Sequence, residues 1–205
     1  MNSNVSSALD IYREALDGLI VSNCIAEIEW QRSRVLRDFN EEEFLCEAAW
    51  VVLNSGFKES VVRSKFDYIS LCFLDWCSAK EITEARDQCI SSALLEFGHL
   101  GKISAIARVA EIVAERGFSD FKKAVLGDPI AELKKLPHVG PITVWHLAKN
   151  LGFNVAKPDR HLVRLASEHG YQCVHAFCET IAHHTGEKVA VVDLVLWRYM
   201  VDRPR

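Results

Sequence analysis

Residues 133–148 read Leu133-Lys-Lys-Leu-Pro-His-Val-Gly-Pro-Ile-Thr-Val-Trp-His-Leu-Ala148. One helix is expected to end at Leu136, and the tight turn Pro137-His138-Val139-Gly140 follows it. Pro141 then suits the first position of a second helix, where its missing N–H costs nothing. Two helices joined by so short a glycine-containing turn form an αα-hairpin. Such a turn sets exposed backbone N–H groups at the partly positive start of a helix. That is an anion site, and a DNA phosphate fits it without base specificity. Lys134 and Lys135 stand just before the turn and add charge.

Helical periodicity extends over the rest of the chain. Leu9, Ile11, Tyr12, Ala15, Leu16, Leu19 and Ile20 recur at three- and four-residue steps and share one helix face. A second helix is expected over 25–39. Asn40 before Glu41, Glu42 and Glu43 reads as an N-cap with acids in the first turn, opening a helix that stops near Gly56. Further helical patterns cover 59–76, 80–97, 102–116, 119–126, 129–136, 141–151, 159–169, 174–185 and 187–201, mostly separated by glycine. No strand alternation, hairpin dipeptide or internal repeat interrupts them. The expected class is all-α, with about ten helices.

The chain has 205 residues, 49% of them apolar and 25% charged, an ordinary globular composition that argues against disorder. Its formal net charge of −4 excludes a polycation, so any nucleic-acid contact needs a local basic patch. One exists. Residues 1–43 carry nine acids and four arginines, whereas 130–164 carry Lys134, Lys135, Lys149, Lys157, Arg160 and Arg164 against Glu132 and Asp159. A solvated face would give the same reversal. Seven scattered cysteines read as reduced thiols of a cytoplasmic protein. Met1 to Ser7 lack a basic region followed by an apolar run, and Asp193 and Arg198 interrupt the most apolar stretch, so no membrane partner is expected.

The run Leu136-Pro-His-Val-Gly-Pro141 resembles the helix-hairpin-helix motif of the DNA base-excision glycosylases. The segment Gly152-Phe-Asn-Val-Ala-Lys-Pro-Asp-Arg-His-Leu-Val-Arg164 resembles the loop that follows the hairpin in that superfamily, with its catalytic aspartate. Asp159 stands 19 residues after Gly140, in the family's register. The clear match spans about 133–168. The resemblance implies one glycosylase-like unit over 1–205, in two lobes with an active-site cleft between them. It places the hairpin at 129–151 and the catalytic loop and helix at 152–169. It further implies double-stranded DNA as partner, a monomer, and DNA contacts from Lys134, Lys135, His138, Val139, Gly140, Thr143 and Arg160. It assigns Asp159 the catalytic role, compatible with its acting as an N-cap.

The sequence departs from the family twice. Glycine is usual where His138 stands; histidine tolerates a left-handed turn less well and presents a side chain that can face a phosphate. The lysine of the bifunctional members is replaced by Ile142, so no Schiff-base amine stands there. A monofunctional enzyme is expected, one that hydrolyses the base–sugar bond without nicking the strand. Breaking that bond develops positive charge on the sugar, which a carboxylate such as Asp159 stabilises while orienting water. The base must first leave the stack. Trp50, Asn54, Phe57 and Ile142 are the candidates for pocket or wedge, with Phe57 equally readable as a core-anchoring aromatic. Trp145 and Trp197 read as core aromatics.

Cys173, His175, Cys178, His183 and His184 lack zinc spacing, and two cysteines cannot make the four-cysteine iron–sulfur loop of some superfamily members. No cofactor is expected, though the resemblance admits a monovalent ion at the hairpin. Asp193, a lone acid on an apolar helix, is expected to make a partly buried ion pair or polar bond, with Arg198 or another basic group as partner, and a catalytic contribution is the minor reading. The activity expected is glycosylase action on an alkylated or other damaged base, or on a hypermodified phage base such as glucosylated hydroxymethylcytosine, which would make it a defence enzyme. The alternative is a non-catalytic helix-hairpin-helix DNA-binding protein.

Overall fold

The computed structural model of the chain describes residues 3–21, 25–33 and 39–202. Cys24, residues 34–38 of the expected second helix and the side chain of Ile20 lie outside the described set. Every regular element among the described residues is helical. In order they are α1 (Ser3–Val21), α2 (Ile25–Ser33), α3 (Glu41–Asn54), α4 (Glu59–Cys72), a 3-10 turn (Leu74–Trp76), α5 (Ala79–Glu84), α6 (Arg86–Glu96) and α7 (Leu100–Arg116). Then come α8 (Phe118–Gly127), α9 (Pro129–Leu133), α10 (Thr143–Asn150), α11 (Arg160–Glu168), α12 (Val174–Thr185) and α13 (Val189–Asp202). The all-α class is as expected. The helix count is higher partly because the 80–97 pattern breaks at Ala85 into α5 and α6. No helix among the described residues is long and apolar enough to cross a membrane.

The helix expected to run through Trp76 ends at Cys72 instead. Leu74, Asp75 and Trp76 all take positive φ, at +56°, +49° and +63°. Each such non-glycine residue costs about 1–2 kcal/mol. Packing offsets the cost: Trp76 is buried, stacks on Phe73 at 5.3 Å and donates its indole N–H to Ser70 Oγ at 3.0 Å.

The chain forms two compact units, residues 38–151 and residues 1–37 with 152–205. In the first, Asn40 caps α3 as expected: its Oδ1 accepts from the Glu43 N–H at 2.7 Å, and the Glu43 carboxylate accepts from the Asn40 N–H at 3.1 Å. Phe44 meets Phe121 with ring centroids 4.7 Å apart, and Val51, Ile103, Ile106, Leu133 and Leu147 complete this core. Helix α10 packs on α3 and α9. In the second unit α1, α12 and α13 pack together, burying Leu9, Tyr12, Ala15, Phe177, Ile181, Val192 and Val195. Burial pushes the Tyr12 phenol up to about 12. Trp197 is only partly buried, against this core and beneath the Arg198 guanidinium at 5.2 Å. Trp145 is likewise only partly buried.

Candidate functional site

The connection between the hairpin helices is longer than its sequence suggested. Helix α9 stops at Leu133, and three successive i→i−3 bonds carry the chain on: Lys135 N–H to Glu132 O, Leu136 N–H to Leu133 O and Val139 N–H to Leu136 O. His138 takes the left-handed conformation at φ +59°, doing what glycine would do there. The first α-type bond of the next helix runs from the Val144 N–H to Gly140 O at 3.0 Å. Pro141 thus follows the residue whose carbonyl opens the ladder, although α10 proper begins at Thr143. The Gly140 N–H donates to Thr143 Oγ1 at 2.6 Å, half of a capping box.

These bonds determine which hairpin groups face outward. Val139 is buried and its N–H is used within the turn, as is that of Gly140. Among the described residues no acceptor meets the N–H of Ile142 or Thr143. The Ile142 side chain is 46% exposed. Lys134 and Lys135 are exposed, but Lys135 pairs with Glu132, which also holds Arg116 at 2.8 Å. These two cations, Lys135 foremost, keep the Glu132 carboxyl below its ordinary range.

In the other unit, residues 153–159 form an irregular loop ending on α11. Two side chains tie it to the start of α13. Asn154 Oδ1 accepts from the Ala190 N–H at 3.1 Å, and Asp193 Oδ1 accepts from the Lys157 N–H at 2.7 Å. Asp193 is 1% exposed. Arg198, one of its expected partners, donates to Glu27. Asp159 caps α11: its Oδ1 accepts from the N–H groups of His161 at 2.9 Å and Leu162 at 3.0 Å. Both bonds use one oxygen. Oδ2 has no partner among the described residues, and the side chain is half-buried at the positive end of the helix. Arg160 is exposed, its Nε 3.3 Å from His161 Nε2.

The pocket and wedge candidates from α3 differ in setting. Trp50 is partly buried, edge-on to Phe66 at 5.0 Å, with the Arg63 guanidinium 5.3 Å over its ring. Asn54 donates its amide to Trp50 O at 2.9 Å, so that donor serves its own helix end. Phe57 is 40% exposed and is no buried core anchor. Its ring rests on Phe97 at 5.1 Å and His99 at 5.8 Å, with Lys102 Nζ at 5.5 Å.

Sequence reasoning missed His99 and Lys102. His99 caps α7, its Nδ1 accepting from the Lys102 N–H at 3.3 Å. Lys102 is 4% exposed and donates its ammonium to the Val52 carbonyl, one of the orphan carbonyls ending α3. The signal was present: Lys102 lies on the helix face of Ile106, Val109 and Val113, at core spacing. Gly101, expected between helices, instead lies in the first turn of α7. Among the described residues no group of three His, Cys, Asp or Glu could hold a metal ion, the 173–184 cluster included.

No family model matches this sequence, and no curated protein does. Two solved structures share its architecture. One is the 8-oxoguanine glycosylase/lyase of Methanocaldococcus jannaschii in complex with a 15-mer DNA containing 8-oxoguanine. It is 17% identical with a TM-score of 0.60, over 93% of this chain and 97% of that one. The other is the 8-oxoguanine DNA glycosylase of Thermotoga maritima, 21% identical with a TM-score of 0.64, over 93% of this chain and 96% of that one. The chain has the all-helical fold of these two proteins across nearly its whole length.

Proposed function

We propose that the chain is a DNA glycosylase, with Asp159 as its catalytic carboxylate. The observation that carries this is the state of that side chain. One oxygen is fixed by two backbone N–H groups and the other is uncommitted, at a loop-to-helix junction of a fold shared with two glycosylases. A carboxylate so oriented can stabilise the cation developing on the sugar. The base–sugar bond breaks with its electron pair going to the base. Water adds to the anomeric carbon, and the proton it loses passes to the carboxylate or the departing base.

The hairpin grips the strand through the Ile142 and Thr143 N–H groups, with Lys134 supplying charge. Val139 and Gly140 build the turn that aims those donors. Phe57 serves as the wedge, since an exposed aromatic backed on one face can replace a flipped base in the stack. Trp50 and Asn54 are second in line for the pocket. Asp193 and Asn154 position Asp159 by holding its loop.

Ile142 offers no amine, so the reaction stops at the abasic site. The substrate class is a modified base. Oxidised purine belongs in the test beside alkylated and glucosylated bases, because both structural neighbours are 8-oxoguanine enzymes.

The deciding experiment is mass spectrometry of bases released from differently modified duplexes by wild type and Asp159→Asn. Release by wild type and none by the variant, at DNA affinity within about threefold, is the expected result. Undiminished release by Asp159→Asn removes the mechanism. DNA binding with no alkali-labile site on any duplex indicates the non-catalytic alternative. Borohydride should trap no adduct; an efficient one would mean a lysine nucleophile elsewhere.

A further inference from the structure

Three basic side chains from two segments of the 38–151 unit converge beside the hairpin. His138 Nε2 lies 3.7 Å, and His99 Cε1 3.5 Å, from the point where a Cβ on Gly101 would stand. The two imidazoles therefore flank the bare backbone of residue 101. Both histidines are exposed. Lys102 lies behind them, buried, with Phe57 over its ammonium. Among the described residues no carboxylate hydrogen-bonds or pairs with any of the three. Burial foremost, then the charge of Lys102 and then His99, holds the His138 imidazole below its ordinary proton affinity. A basic group with no counter-ion is an open position for an anion, and an arriving anion favours the protonated form of His138.

We propose that His138 and His99, backed by Lys102, form a proton-linked subsite for a backbone phosphate of bound DNA. A proton from solvent moves to the His138 imidazole as the phosphate arrives, and no covalent bond changes. The inference rests on the DNA-binding reading above but not on the assignment of Asp159. The pH window follows by linkage. Binding tightens as pH falls through the proton affinity of His138 in the complex, and levels off below that of the free protein.

The test is the affinity of a short unmodified duplex at constant ionic strength across pH, with proton uptake measured by calorimetry in two buffers. Two variants preserve the backbone: His138→Asn, because asparagine tolerates the left-handed region, and His99→Asn, because asparagine caps helices well. Wild type should bind about five- to tenfold tighter near pH 6 than near pH 8, with net proton uptake. His138→Asn should lose most of that dependence and the uptake. His99→Asn should weaken binding on the acid side. An unchanged pH slope in His138→Asn, or binding without proton uptake by wild type, overturns the subsite. Base release from modified duplexes is scored separately, so the subsite can fail while the glycosylase reading stands.

Discussion

The proposed mechanism gives Asp159 two jobs, one for each oxygen, and substitutions can separate them. Asparagine keeps an oxygen able to cap α11, so Asp159→Asn should leave stability nearly unchanged while removing the charge that base release needs. Alanine removes both, and Asp159→Ala should lower stability by about 1 kcal/mol in denaturant melts. Equal stability of the two variants would show that the cap contributes little. The role of Asp159 as a helix opener could be read from its neighbours in the chain. His138 was flagged as a left-handed turn residue by the resemblance, because it stands where the resembled motif usually has glycine. Its side-chain direction was not, because it depends on Gly101, 37 residues earlier in the sequence. The outward-facing hairpin donors were also only partly legible. The Thr143 hydroxyl takes the Gly140 N–H, a choice that rotamer and turn geometry make together.

Helices that meet end to side carry the next set of consequences. Lys102 of α7 satisfies the Val52 carbonyl at the end of α3, just where the turn to Phe57 begins. A cation there also favours the helix dipole. Lys102→Met should therefore destabilise the protein by about 1–3 kcal/mol, the cost of leaving a buried carbonyl unpaired, despite gaining an apolar side chain. Thermal unfolding above pH 7 checks this; a stabilised variant would show that desolvation of the ammonium outweighs its bond. Asp193 plays the matching role for the 153–159 loop. Asp193→Asn should reduce the rate of base release more than DNA affinity, and a proportionate fall in both would show a merely structural effect. The left-handed turn at 74–76 lies at the same scale. The helical apolar spacing runs through it unmarked, because the stacking of Trp76 on Phe73 and its bond to Ser70 compete with that spacing and win.

For the molecule as a whole, charge placement matters more than total charge. The chain is acidic by four units, so the proposed DNA binding depends on local fields rather than general attraction. Affinity should fall steeply with added salt, and Lys134→Gln should reduce the slope of log K against log salt by about one. Lys135→Gln should change it less, since Glu132 already holds that ammonium. Equal slopes for the two variants would count against the assignment of Lys134. The six described cysteines are all free, and burial pushes the Cys46 thiol up to about 11. Stability should accordingly be indifferent to reductant.

Helical class, the capping box at Asn40 and the start of α11 at Asp159 follow from the sequence by itself. Each depends on residues within a few positions of one another, where apolar spacing and cap chemistry act directly. So does the short glycine-containing turn at 137–140. Two features could only come from packing: the left-handed run at 74–76 and the meeting of Phe57, His99, Lys102 and His138. In each the deciding partner is distant along the chain or competes with the local helical preference. Hydrophobic periodicity reports which face a residue occupies, but not which neighbour it finds there.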